Sequence, residues 1–302
     1  MVPPLCALTL LLVTLIRAQS LSSSCSLYLD LAGRATRHGT ETEDQTKQRV
    51  LSAGSSYSGD SKTEYINEVN CHWKKYYGDA NQPHPPSLLS TLALNGTAYQ
   101  LVRDFHRAWH AGIGSWRDIQ NVNSNSAGIE IVNTGDQPYP QKQVDAVNAL
   151  VAMLKSRWHV DDHYVIGHSD ISPERKNDPS GYFPWPSLYN ELSIFPDLFN
   201  SSLSYKRQHT VIIGTDATYT SERLSKVQTD LVQLGYTHLT LPLGVYDNNT
   251  AYVFEAFNRH FSPEIFKKET IDPDTRLTIH QESNRYWYGI SQERLEKLLS
   301  YN

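Results

Sequence analysis

The segment GHSDISPERKNDPSGYFPW, Gly167 to Trp185, gathers His168, Lys176 and Asp178 on a stretch too rich in Pro and Gly to be one helix. His168 follows the apolar run YVIG, at the end of a buried strand, and Asp178 comes ten residues later across a Pro-containing turn. An imidazole nitrogen and a carboxylate oxygen are both good zinc donors. A catalytic zinc takes three protein ligands and leaves a fourth position for water. Lys176, two residues before Asp178, would bring a cation to the same place, where it could hold a developing oxyanion. The same composition also suits a solvated loop of ion-paired charges, and the loop taken alone leaves both readings open.

A second cluster precedes it. RAWHAGIGSWRDIQNVNSNSAGIE places Trp109, His110 and Trp116 ahead of Glu130. A Glu inside an otherwise apolar strand needs a reason, because an unpaired buried carboxylate is costly. Beside a metal it could take the proton of a water; otherwise it is an outward-facing strand position. Trp109 and Trp116 are either core residues or a platform for a ligand. His110 is either a satisfied structural histidine or part of a site.

The elements that must position these residues are a sheet and its covering helices. TAYQLV (Thr97 to Val102), after the turn Asn95-Gly96, and GIEIVN (Gly128 to Asn133) are predicted strands, the latter with Ile129 and Ile131 on one face and Glu130 on the other. Val144, Val147, Val151 and Leu154 recur at helical spacing, which predicts a helix over Gln141 to Trp158, opened by Pro140 and closed near Lys155 and Arg157. Strand, helix, strand in that order gives an α/β class: a mixed central sheet flanked by helices. A polar stretch around residues 200–208 is the expected linker. Beyond it, Leu224, Val227, Leu231 and Leu234 mark a helix that stops at Gly235, and YVFEAFNRHF and SQERLEKLL predict two more, a small helical domain over residues 209–302.

A formal net charge of -5 without a basic run argues against a partner bound through phosphates, so no nucleic acid is expected. Leu5 to Ile16 is apolar but shorter than the roughly 20 residues that span a bilayer, and small residues follow it. Residues 1–18 therefore read as a secretory signal peptide cleaved after Ala18, though the usual basic start is missing. An uncleaved anchor is the other reading. A secreted, extracellular protein with no membrane contact after cleavage is the expectation. Cys25 and Cys71 then allow one disulfide, and Asn95, Asn200 and Asn248 stand in glycosylation triplets. Residues 19–60 read as a loop-rich extension, and residues 61–198 as the main domain.

AYQLVRDFHRAWHAGIGSW, NSNSAGIEIVNTG and VIGHSDISPERKNDPSGYFPW, in this order and spacing, resemble the zinc-dependent N-acetylmuramoyl-L-alanine amidases of the type 2 amidase and peptidoglycan recognition protein superfamily. The resemblance implies a mixed sheet with a groove for a glycopeptide. It also implies zinc-assisted hydrolysis of the amide between the muramic acid lactyl group and L-alanine, with bacterial peptidoglycan or muropeptides as partners. Residue by residue, it implies His168 and Asp178 as zinc ligands, Glu130 as the acid that activates water, and Lys176 as the cation that steadies the tetrahedral intermediate. Trp109 and His110 match the wall of the groove, and Trp116 is placed with them as substrate-binding. The C-terminal helices resemble, more weakly, a peptidoglycan-binding module.

The sequence departs from the pattern at one ligand. The family supplies a first zinc His from an N-terminal strand, in a string like IHYT, and none exists here. His72, in INEVNCHWKKYY, is nearest to the expected distance, with Ile66 and Val69 before it; His84 is flanked by Pro and His38 comes too early. The alternative is a chain with no third ligand, a recognition protein of the same fold that binds without cutting. A carboxylate-pair glycosidase is a third reading, but it would leave the His168–Asp178 spacing without a purpose.

Overall fold

The computed structural model describes residues 8–14 and 88–301, apart from 103–106, 215–218 and 276. His38, His72, His84, Cys25 and Cys71 lie outside the described residues.

Five strands form one sheet: β1 (Leu8–Thr14), β2 (Leu88–Leu92), β3 (Ala98–Val102), β4 (Ser126–Val132) and β5 (Val165–Gly167), in the order β3-β2-β4-β1-β5. β2 and β3 are antiparallel across the turn at Asn95-Gly96, where Gly96 takes φ +82. β2 runs parallel to β4, and β1 is antiparallel to both β4 and β5, so the sheet is mixed as expected. Leu10 pairs with Glu130 and Leu11 with Gly167, which sets Glu130 and the end of β5 at the same height on either side of β1.

β1 lies inside the stretch that reads as a signal peptide. The apolar run has a second use here, as the strand between those carrying Glu130 and His168. Its sequence, LTLLLVT, brings no metal-ligating residue to that position.

Helix α1 (Gln141–Trp158) covers the sheet with Val144, Val147, Leu150, Val151 and Leu154, all buried. Burial of each such side chain contributes about 1.5–3 kcal/mol. The buried Gln143 amide donates to the carbonyls of Leu92 (3.2 Å) and Val132 (2.8 Å), tying the helix to β2 and β4. β4 is thus enclosed on both faces: Ile129 and Ile131 are fully buried, and Glu130 on the other face is 2% exposed.

After β5 the chain forms the one-turn helix α2 (His168–Ile171), then α3 (Trp185–Leu192). The expected linker contains a further turn, α4 (Tyr205–Gln208), and it does not separate two cores. Helices α5 (Ser221–Leu234), α6 (Asn248–Phe261) and α7 (Gly289–Ser300) bury Leu231, Phe257 and Leu295 in the same hydrophobic cluster as Leu154 and Ile166. α5 stops at Gly235, as its sequence indicates; a Cβ there would come within 2.6 Å of the Trp116 ring. Two small antiparallel pairs, Val211–Ile213 with Trp287–Tyr288 and Thr270–Ile271 with Thr278–Ile279, complete this part. They are too short to leave an alternating pattern in the sequence. No described helix is long and apolar enough to cross a membrane.

Candidate active site

The corner between β5 and α2 brings the opening residues together. Gly167 has no side chain because none fits: a Cβ would lie 2.7 Å from Pro179 Cδ. Pro179 therefore packs on the strand end and carries Asp178 to His168. The His168 Nδ1 and Asp178 Oδ2 atoms are 2.9 Å apart. The Ser169 backbone N–H donates to the Asp178 carbonyl at 2.8 Å, which closes the loop. The segment after β5 is a helical turn where the sequence suggested a loop, and His168 is its first residue.

The other nitrogen of His168, Nε2, lies 2.9 Å from the Ala111 carbonyl. Both ring nitrogens therefore face acceptor atoms. The carbonyl contact fixes Nε2 as the N–H, which turns the Nδ1 lone pair toward Asp178. Two ligands of a tetrahedral zinc, each at 2.0–2.1 Å, lie about 3.3 Å apart. The pair fits two corners of such a site.

Ala111 is itself held. Its N–H donates to Asn123 Oδ1 at 2.8 Å, and Asn123 Nδ2 donates to the Gly112 carbonyl at 3.1 Å. The Arg175 guanidinium donates to the carbonyls of Ala111 (3.4 Å) and Ile113 from the other side. Gly112 takes φ +66 beneath it, with a Cβ position 3.3 Å from the guanidinium. Asn123 and Arg175 are not picked out by the sequence patterns. A polar residue whose partner is a distant backbone carbonyl leaves no local signature.

Glu130 is buried on β4. His110 lies over Gly128 on that strand, so close that a Cβ on Gly128 would be 2.8 Å from its ring. Among the described residues, neither ring nitrogen of His110 completes a hydrogen bond of normal geometry, and the Ser126 backbone stands only near enough to act on its charge. Burial first, and then the neighbouring His168, lower its pKa to about 3 against a smaller opposing effect of the Ser126 backbone, so the ring is neutral. At 4% exposure it is an interior residue rather than an open wall. Trp109 is 50% exposed, with the Arg107 guanidinium stacked 3.6 Å over it, and is available to a ligand. Trp116 is not. It is 1% exposed, packs edge-on to Tyr236 at 4.9 Å, and its indole N–H donates to the His163 carbonyl at 2.9 Å. This corrects its assignment as substrate-binding: a Trp in a Gly-rich loop does not reveal which way it turns. Lys176 is half-buried, and its ammonium makes no ion pair among the described residues.

Among the described residues, the group of three that could hold a metal by proximity lies elsewhere: Glu255, Glu269 and His280. His168 and Asp178 have no third ligand atom within 4.8 Å among the described residues. His72, the candidate for that role, falls outside them.

A family model described as N-acetylmuramoyl-L-alanine amidase matches residues 35–181, nearly half of the chain. The N-acetylmuramoyl-L-alanine amidase AmiD of Escherichia coli (strain K12) is 30% identical over 200 residues, covering 62% of this chain and 67% of that protein. The 1,6-anhydro-N-acetylmuramyl-L-alanine amidases AmpD of Enterobacter cloacae and Haemophilus influenzae are 35% and 36% identical over 103 and 92 residues. The chain spans about half the length of these two, 55% and 50%. A solved complex of E. coli AmiD with the substrate anhydro-N-acetylmuramic acid-L-Ala-D-gamma-Glu-L-Lys superposes with TM-score 0.54 at 23% identity, over 78% of this chain and 84% of that one. At that identity the likeness is one of fold.

Proposed function

Because the chain belongs to the type 2 N-acetylmuramoyl-L-alanine amidase family, we propose that it hydrolyses the amide between N-acetylmuramic acid and the L-alanine of the stem peptide, with zinc held by His168 and Asp178. The observation that carries the zinc reading is the His168 ring, oriented by the Ala111 carbonyl so that Nδ1 meets Asp178 Oδ2 at 2.9 Å. Zinc, when bound, lowers the pKa of a water to about 7 and polarises the scissile carbonyl.

The protein's own groups do the rest. Glu130, buried at the height of the β5 end, takes the proton of the attacking water. The water oxygen bonds to the amide carbon, and the Lys176 ammonium holds the charge that forms on the carbonyl oxygen. As the carbon–nitrogen bond breaks, Glu130 returns the proton to the L-alanine nitrogen. The products are a muramic acid carboxylate and a free stem peptide. Trp109 offers an exposed ring to the glycopeptide. Incubation with a muropeptide, read by mass spectrometry, tests this: cleavage at the lactyl–alanine bond, stopped by a chelator and restored by zinc, is expected. Cleavage elsewhere, or unaffected by a chelator, would refute it.

Secretion belongs to the same proposal. The apolar run Leu5 to Ile16 supports it, as does the exposure of all three sequon asparagines, Asn95, Asn200 and Asn248. Cleavage after Ala18 would remove β1 and vacate the place between Glu130 and His168 from which a strand-borne ligand such as His72 could reach the pair. A second reading, recognition without cleavage, is favoured by the lack of a third ligand among the described residues. A chain starting at Gln19 decides between them: stoichiometric zinc supports the amidase, and a folded, muropeptide-binding chain without zinc supports the binder.

A further inference from the structure

We propose that the C-terminal helices are part of the amidase site, holding the metal-binding turn in place through Asp170, with His260 and Tyr236 as positioning residues. Asp170 lies two residues after His168 and is fully buried. Three donors converge on its carboxylate. The Gly167 N–H and His260 Nδ1 reach Oδ2, each at 2.7 Å, and the Tyr236 hydroxyl donates to Oδ1 at 2.6 Å. One donor belongs to the turn itself; the other two come from α6 and from the end of α5.

His260 is fixed in turn. Its ring stacks on Trp185 at 3.6 Å, and its Nε2 is 2.7 Å from the Tyr189 hydroxyl, which also reaches the Val165 carbonyl at 3.2 Å. The chain after α5 grips the other side of the site as well. The Gly235 carbonyl accepts from the Arg117 N–H at 2.9 Å, and the Thr237 hydroxyl meets that of Ser115 at 2.5 Å. Ser115 and Arg117 follow the loop whose Ala111 carbonyl orients His168. The C-terminal part thus touches both segments that define the imidazole: the turn that carries it and the loop that orients it.

A buried carboxylate is a poor choice for packing alone, since an apolar residue of similar volume would cost less to desolvate. Its directed hydrogen bonds make it a good choice for fixing one arrangement of a turn. Ligands at a metal must be held within about half an ångström, and groups behind them commonly do the holding. This function of the C-terminal helices differs from, and needs no, independent peptidoglycan-binding module.

The inference rests on the reading of His168 and Asp178 as metal ligands, so its test includes a readout that needs no metal. In the full-length, metal-free protein, amide exchange at Gly167 and Ser169 is compared for wild type, Tyr236→Phe, His260→Gln and a control, Ser291→Ala. The control removes a buried bond between the same helices, Ser291 Oγ to Asn258 Oδ1 at 2.7 Å, that includes no atom of the turn. Leaving a buried hydrogen-bonding group without its partner corresponds to roughly a ten- to hundredfold effect. Exchange at the turn should rise by about that factor in the first two variants. Zinc retention against a chelator should fall about tenfold or more, and kcat should fall with KM little changed. Ser291→Ala should lower the melting temperature yet move none of these. Wild-type exchange at the turn in both variants, or an equal rise in Ser291→Ala, would overturn the proposal. If the wild type retained no zinc while the variants still loosened the turn, the metal reading would fall and the brace would stand.

Discussion

His168 with Asp178, and His280 with Glu255 and Glu269, use the same side-chain types at similar separations: 2.9 Å in the first pair, 2.6 and 3.1 Å in the second group. By proximity alone the second is the better metal site, since among the described residues it has three ligands and the first has two. Their surroundings reverse that order. Arg259, 2% exposed, bridges Glu255 (3.1 Å) and Glu269 (2.6 Å), and Arg285 reaches Glu255 at 2.9 Å. The two carboxylates are already matched by guanidinium groups and by His280, and a metal would have to displace them. At His168 the nearby guanidinium, Arg175, is directed instead at the carbonyls of Ala111 and Ile113. In the second cluster the guanidinium groups hold the carboxylates themselves, whereas beside His168 the guanidinium holds the loop whose carbonyl orients the ring.

The largest effects should separate the two groups. His168→Ala or Asp178→Ala is expected to abolish zinc retention and reduce amide hydrolysis to background, while Glu255→Gln leaves both intact and lowers the melting temperature. Persistent turnover in either ligand variant in the presence of a chelator would break the comparison. Glu130→Gln should keep zinc and lose about 10²- to 10⁴-fold in kcat, the range of a general base; a loss under about tenfold would make Glu130 structural. Lys176→Ala should cost about 10²- to 10³-fold in kcat if the ammonium meets the oxyanion, with zinc content unchanged. A change in KM alone would place Lys176 on the substrate instead.

The smallest effect belongs to the second group and is one of pH. Hydrogen bonds that His280 donates to Glu255 and Glu269 raise its pKa from 6.5 to about 9. A folded-state value above the unfolded one means that this contribution to stability is whole below about 6.5 and fades as the pH rises through about 9. Burial acts against ionisation of Glu255, but His280 and Arg259 overcome it and lower its pKa from 4.5 to about 2. That contribution is whole above about 4.5 and is lost as the pH falls through about 2. His280→Gln should therefore flatten the melting temperature between pH 6.5 and 9, measured by thermal unfolding, without altering zinc content. An unchanged slope would show that His280 carries no charge in the cluster.

Much of the scaffold was legible in the sequence, for physical reasons. α1 shows its apolar stripe and its cationic last turn, and α5 shows its stripe and its terminal Gly235, because each has one buried face. β4 is a strand as expected, but alternation could not show that its second face is buried too, which is where Glu130 lies. The pairing of His168 with Asp178 follows from a turn that Gly167 and Pro179 close locally. Contacts made across the chain were not legible. Trp116 turned inward to Tyr236, Asn123 reached the Ala111 loop, and Asp170 gathered donors from α6 and the end of α5. Nor could an apolar run such as Leu8–Thr14 declare itself a strand, since a short continuous apolar run has no period to set a strand apart from a leader.

Metal analysis of the purified chain starting at Gln19, beside its His168→Ala and Glu255→Gln variants, tests the central claim most directly. The expected result is close to one zinc per chain in the wild type and in Glu255→Gln, and none in His168→Ala. Zinc retained in His168→Ala but lost from Glu255→Gln would put the metal in the other cluster and contradict the assignment of the active site.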